Sequence, residues 1–290
     1  GGCMITEFSP VQNGSVLYYA DPALSGGDPS LLHGFATRRG GVSTEEHLKE
    51  MNLGFFRGEA RALTEENYAR FASAVGIPAE HLVFANQTHT HRIAQVGAAH
   101  HGVGVTKPPV YFAGKDANDH ENEVDALVSA ERGVALGIRV ADCVPILYFD
   151  PCAHVIGAAH AGWRGTLSHI AALTLYAMEE LGACAGNIRV AIGPCIGRCC
   201  YEVDHTFYEQ FLREFGAGIC QRVFDRAESE HPHADLSLLN ELLLSDCGVK
   251  EENIHRSALC TCCNGELFHS HRASGGVRGT GGALIYMKED

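Results

Sequence analysis

DALVSAERGVALGIRVADCVPILYFDPCAHVIGAAHAGWRGT, residues 125–166, holds short apolar runs at 124–129, 134–140, 145–149 and 155–159. Short, largely apolar runs of this kind are typical of strands buried on both faces. A helix is expected next. Thr166 is a plausible N-cap, Leu167, Ile170, Ala171, Thr174, Met178 and Leu181 share a face, and Gly182 stops the run. Working outward, residues 31–37 read as a strand entering the turn Arg39-Gly40-Gly41. Residues 64–75 place Tyr68, Phe71, Ala72 and Val75 at helical spacing before Gly76. Residues 81–96 read as mostly extended and include NQTHTHRIAQV. Residues 97–123, rich in Gly, Pro, His and Asp, read as an irregular insertion or flexible loop. Downstream, strands are expected at 188–192, 253–259 and 283–287, and helices at 207–215 and 236–244. Strands and helices mix without strict alternation, which favours an α/β or α+β domain with mixed sheets over a doubly wound one. Residues 20–30, ADPALSGGDPS, read as a surface loop. The division is therefore an N-terminal segment, 1–30, partly loop, and one domain over 31–290.

Composition narrows the function. The chain has 290 residues, with 22 Lys plus Arg against 35 Asp plus Glu, a net charge of −13. An acidic chain without a dense basic run is a poor partner for nucleic acid. No apolar stretch approaches the ~18 residues of a membrane span. The opening residues, GGCMITEFSP, carry neither a basic nor an apolar leader segment, so a secretory signal is not expected. The 12 cysteines then read as reduced thiols of a cytoplasmic protein, which raises metal binding or thiol chemistry.

Three loops join small residues to His, Cys or Arg: Gln87-Thr88-His89-Thr90-His91, Ala141-Asp142-Cys143 and His160-Ala161-Gly162-Trp163-Arg164-Gly165-Thr166. The third, between strand and helix, could take an anion on the free N–H groups of the helix start, with Arg164 forking onto a phosphate or carboxylate. Its plain alternative is a tight connection with a surface Arg. Trp163 could equally pack on the core or stack on a ligand. His89, Cys143 and His160 make a recognised ligand set for catalytic zinc, whose fourth position is left to water. Their separation along the chain is not a local motif. A Cys143–His160 pair for nucleophilic catalysis, with Asp142 nearby, fits the same residues. Among the other cysteines, Cys195-x3-Cys199 fits the spacing of a zinc knuckle, while Cys260-x-Cys262 and the adjacent pairs do not. The two clusters could suggest a four-thiolate structural zinc on a loose spacing match, and most of these cysteines read as reduced and incidental. His100-His101 and His231-Pro-His233 read as solvated.

Residues 125–166 as quoted closely resemble the laccase-domain family, long labelled multicopper polyphenol oxidases and understood as purine nucleoside phosphorylases with adenosine deaminase activity. Supporting blocks are HGFATRRGGVS from His33, MNLGF from Met51, NQTH ending at His89, AIGPCIGRCCYEV from Ala191, ADLSLLN from Ala234, ALCT ending at Thr261 and FHSHR ending at Arg272. The resemblance implies a single α/β domain with mixed β-sheets sandwiched between helices. It implies metal ligands at His89, Cys143 and His160, also the catalytic residues, and substrate or phosphate binding by Arg38, Asn52, Gln87, Asp142 and Arg164. The family commonly has Gln-Val-His-Gly where this chain has Gln87-Thr88-His89-Thr90, and His91 is a rival ligand on the same face of an extended strand. The late segment SHRASGGVRG departs from the family pattern and leaves the roles of Arg272 and Arg278 open.

The expected function is a zinc-dependent phosphorylase, with copper possible as the metal. It would split adenosine, inosine, guanosine or methylthioadenosine into base and ribose-1-phosphate and also deaminate adenosine. In phosphorolysis the protein must hold phosphate against C1′ and stabilise an oxocarbenium-like state; Arg38, Arg164 and the helix start at Thr166 are the candidates for phosphate. The alternatives are a cysteine hydrolase or amidase using Cys143 and His160, a copper-dependent polyphenol oxidase, and a zinc-stabilised partner protein. The expected partners are small molecules, without nucleic acid or membrane, for a monomer or homodimer.

Overall fold

The computed structural model describes residues 5–227 and 229–289. Residues 1–4, part of the stretch in which no leader is expected, lie outside the described residues. Two mixed sheets form the molecule's centre. The six-stranded sheet runs Ser9–Asn13, Val16–Ala20, Leu31–Ala36, Gly281–Met287, Ala135–Val140, Leu82–Phe84. The seven-stranded sheet runs Ile5–Thr6, Ile254–Ser257, Arg189–Ile192, Val144–Asp150, Val155–Ala161, Ala126–Ser129, Ile93–Gln95. Among the described residues, no helix is long and apolar enough to cross a membrane.

Alternation along the strands explains the layering. In Val144–Asp150 every residue is buried. Ile146 and Tyr148 face the helices Ile170–Glu180, His205–Val223 and Leu236–Asp246, while Leu147 and Phe149 face the other sheet. In Gly281–Met287, Leu284 and Tyr286 pack with Tyr68, Phe71 and Val75 of helix Arg61–Val75, and Ala283, Ile285 and Met287 face inward. Period-two side chains therefore fill three apolar layers from strands that read as unbroken apolar runs. The result is an α/β architecture with the sheets sandwiched between helices, as expected. Phe149 is wholly buried between the sheets, and truncating it to Ala should cost about 3–5 kcal/mol.

Local structure departs from the sequence reading in five places, the first being residues 20–30, read as a surface loop, which hold a short helix, Pro22–Ser25, with Leu24 wholly buried. The helix expected from Thr166 is broken: a short helix, Trp163–Leu167, is followed by His169 in a left-handed conformation, and the long helix is Ile170–Glu180. The apolar period runs across this break and hides it. The helix expected at 207–215 extends over His205–Val223, with a non-helical Gly216 inside. The extended reading of 81–96 resolves into Leu82–Phe84 in one sheet and Ile93–Gln95 in the other, so residues 85–92 cross between sheets. His89 lies in that crossing at φ 64°. The strand alternation that made His91 equivalent to it does not apply. Residues 97–123 contain no strand, as expected, but Val103, Val105 and Tyr111 are buried in the apolar layers.

Candidate metal centre

Two chain crossings and two strand ends build the site. The turn 141–143 leads from Ala135–Val140 in the six-stranded sheet into Val144–Asp150 in the seven-stranded one, and Asp142 takes φ 85° to make it. Pairing sets Ala161 opposite Val144 and Ala159 opposite Ala126. Asp125, Cys143 and His160 thereby meet at one end of the seven-stranded sheet, and the 85–92 crossing brings His89 to the same end. The ligand atoms of His89, Cys143 and His160 all lie within 4.8 Å of one another. Cys143 Sγ is 4.0 Å from His89 Nε2. The two imidazoles stand edge to face, with centroids 5.1 Å apart. His91 is exposed and outside this group.

Asp125 organises the centre. Its buried carboxylate accepts the backbone N–H groups of Thr88 at 3.0 Å, His89 at 3.2 Å and Thr90 at 2.9 Å. Its Oδ2 lies 2.6 Å from His160 Nδ1. With a carboxylate as partner, Nδ1 is the donor, and Nε2 is the ring atom left for Cys143 or a metal. One carboxylate thus fixes a loop and a ring together. Asp125 carries no signal of this role in the sequence, because an acid just before an apolar strand looks like an ordinary strand boundary.

The electrostatics favour a deprotonated sulfur. Burial alone would push the Cys143 thiol up, but His160 and His89 beside it bring it down to about 6. Burial would likewise push His160 down, yet the Cys143 sulfur and Asp125 raise it to about 10. Without a metal the pair is a thiolate beside an imidazolium, and metal uptake would release the ring proton.

Three donors of this kind fit a zinc ion. Tetrahedral Zn–N and Zn–S bonds of about 2.0–2.3 Å imply donor separations of roughly 3.3–3.7 Å, and the Cys143–His89 pair stands at 4.0 Å. Gly162 matters here: a Cβ on it would sit 2.9 Å from His89 Cδ2 and 3.3 Å from Cys143 Sγ. Only glycine lets the chain pass this close.

His89, Cys143 and His160 form part of the wall of a cavity of about 670 Å³, a size usual for small-molecule sites. Other parts of the wall are Phe55, Phe56, Arg57, Lys107, Arg139 and Arg278. Phe56 is 98% exposed at φ 60°, an unusual conformation for a large apolar residue. Arg139 gives its donors to the carbonyls of Leu53, Ala85 and Gly104. Arg278 donates to Gly279 O and Thr280 Oγ1, while its buried Nε has no hydrogen-bond partner. Burial and the neighbouring Arg57 hold its pKa below the ordinary value, against the pull of Cys143 and Asp142.

The other expected site residues sit differently. Arg38 donates to the carbonyls of Lys49, Gly265 and Glu46 and does not line the cavity. Arg164 is exposed and lies over the Trp163 ring at 4.1 Å, outside the cavity wall, which is the plain alternative for that loop. Trp163 packs against Phe207 and the core. Thr166 accepts from Asn240 instead of capping a helix. Asn52 is buried and holds Gly54 and Thr280 in place. Gln87 lines the cavity, but its amide pairs with both backbone groups of Arg139 at 2.6 Å. Asp142 accepts from Thr261 Oγ1 at 2.6 Å and the Arg272 N–H at 2.7 Å. Of the cations on the cavity wall, Arg57 and Arg278 stand on the loops after Met51 and after Ser270, whose sequence carries no phosphate-loop pattern.

Residues 32–288 match the family model described as multi-copper polyphenol oxidoreductase laccase. The chain is 32% identical over 260 residues to the purine nucleoside phosphorylase YlmD of Bacillus subtilis, covering 89% of each protein. It is 30% identical over 257 residues to adenosine deaminase RL5 from an unknown prokaryotic organism, covering 89% of this chain and 94% of that one. The crystal structure of YlmD from Geobacillus stearothermophilus superposes with a TM-score of 0.81 at 30% identity, covering 97% of this chain and 99% of that chain.

Proposed function

The chain belongs to the multi-copper polyphenol oxidoreductase laccase family, and from that membership we propose that it is a zinc-dependent purine nucleoside phosphorylase that also deaminates adenosine. Relatives carrying both names support this reading. The observation that carries it is one cavity with a two-histidine, one-cysteine group on its wall and Arg57 and Arg278 also facing it. His89, Cys143 and His160 would hold the metal, which supplies Lewis acidity at the position three protein ligands leave open.

The chain's own residues do the rest. Arg57 and Arg278, both on the cavity wall, bind the phosphate dianion. Phe55 and Phe56 flank the purine and shield C1′ from water. As phosphate oxygen bonds to C1′, the bond to the base nitrogen breaks and its electron pair leaves with the purine. Holding both reactants in one cavity supplies most of the acceleration. Asp125 keeps His160 oriented and holds the proton on Nδ1. The reading takes the protein to be cytoplasmic and to act as a monomer or homodimer on small molecules.

A copper polyphenol oxidase is less well supported. The described residues hold one mixed His/Cys group and one made only of cysteines, whereas a multicopper enzyme needs several His-rich centres. A cysteine hydrolase would use the same Cys143–His160 pair, and it separates by assay. Inosine or adenosine with phosphate should yield base and ribose-1-phosphate, with turnover lost on chelation and restored by zinc. Full turnover by the chelated protein, abolished only by thiol alkylation, would favour the hydrolase instead.

A further inference from the structure

A second group of thiols lies at the same end of the seven-stranded sheet. Strands Arg189–Ile192 and Ile254–Ser257 are parallel neighbours, so the loops that follow them leave side by side. The ladder continues past them through a bridge between Cys195 and Cys260, with the Thr261 N–H donating to Cys195 O at 3.0 Å. This pairing gathers the Sγ atoms of Cys199, Cys200, Cys260 and Cys263 within 4.8 Å of one another. We propose that these four cysteines form a structural zinc site, separate from the centre on the cavity wall.

The distances argue for a metal cage over a disulfide. Tetrahedral Zn–S bonds of about 2.3 Å give S···S edges of about 3.8 Å. Cys263 Sγ is 3.5 Å from that of Cys199 and 3.4 Å from that of Cys200. A disulfide needs about 2.05 Å, and one sulfur cannot bond to both neighbours. The spacing agrees as well. Cys260-x2-Cys263 is the knuckle spacing of structural zinc sites, which pairing Cys260 with Cys262 conceals.

The backbone is already arranged for it. The Gly197 N–H donates to Cys260 Sγ at 3.2 Å. A Cβ on Gly197 would press on Cys199 Sγ and Cys260 Cβ, both at 3.3 Å. Four sulfurs complete a tetrahedron and leave no open position, which suits a structural role. Uptake would release thiol protons, so occupancy should fall in acid. The site also has a purpose. The same loops grip Asp142, the residue before Cys143: Ile196 N–H donates to its carbonyl at 2.9 Å and Thr261 Oγ1 to its carboxylate. Arg272, whose N–H also holds that carboxylate, donates to Cys200 O at 3.1 Å. Zinc here would clip two loops to the turn that presents Cys143.

The test is zinc content after chelation and reconstitution with zinc alone, measured on the full chain. Two zinc ions per chain are expected in the wild type and one in Cys143→Ala. One is also expected in the double variant Cys199→Ser, Cys263→Ser, with a lower thermal midpoint. One zinc in the wild type, lost in Cys143→Ala and kept in the double variant, overturns the proposal. So does a Cys199–Cys263 or Cys200–Cys263 disulfide found by mass spectrometry in freshly purified wild type. Should the double variant not fold, cobalt substitution decides. Cys143→Ala loaded with cobalt should keep an intense thiolate charge-transfer band, and complete loss of that band refutes a four-thiolate site.

Discussion

The two thiol groups share one end of one sheet yet are built in opposite ways. Around Cys143, ligands arrive from three separate parts of the chain, and a buried carboxylate backs two of the three elements. Around Cys260, all four sulfurs come from two loops whose parent strands are paired, and backbone N–H groups supply the support. The first borders a cavity and, with three protein ligands, would leave a bound metal one coordination position for chemistry. The second is saturated by its own sulfurs. Sulfur content alone therefore says little about role. What surrounds the sulfurs, and how many ligands remain to be supplied, decides it.

This contrast can be broken by substitution. The largest effect is expected from Cys143→Ala, which should lower phosphorolysis on the order of 10³-fold in a steady-state inosine assay. Loss of activity in the four-thiolate group's variants to the same degree, with the first zinc still bound, would erase the distinction. Asp125→Asn comes next: the amide cannot accept all the donors that converge there, and a loss of about 10–100-fold in zinc affinity or turnover is expected, read by competition with a chromogenic chelator. Arg278→Ala should raise the KM for phosphate about tenfold and change the KM for nucleoside far less. An unchanged phosphate KM would remove Arg278 from the anion site.

The smallest effect tests the electrostatics. In metal-free protein, alkylation of Cys143 by iodoacetamide should be half-maximal near pH 6. The rate falls as acid protonates the thiolate and is flat above that midpoint. An ordinary cysteine reaches half-maximum near 8.5, by the usual value of about 8.5. His160→Gln should move the midpoint upward, and zinc should protect the sulfur. A midpoint near 8.5 in the wild type would show that the imidazoles do not act on it.

Much of the fold was legible because strands such as Val144–Asp150 are buried on both faces and write that burial as unbroken apolar runs. The break at His169 was not legible, since apolar residues keep helical spacing across it. The three ligand-type residues could be named from donor chemistry, and the fold does bring their ligand atoms together. Arg38 follows from the family resemblance of its TRRGG block and Arg164 from the glycine loop around it, both local signals. Arg57 and Arg278 face the cavity through tertiary placement, which leaves no local trace. Asp125 escaped notice for the same reason: its four donors come from residues 88–90 and 160.

The crossing of the chain between the sheets at 85–92 and at 141–143 makes the cavity-wall centre a checkpoint on maturation. With the seven-stranded sheet alone assembled, Cys143 and His160 meet, but His89, carried on the crossing from the other sheet, is not yet fixed beside them. Metal capture by all three ligands would certify that both halves have docked, whereas the four-thiolate group needs only the pairing of Arg189–Ile192 with Ile254–Ser257. The order in which the two ions arrive would then record the order in which the molecule was completed.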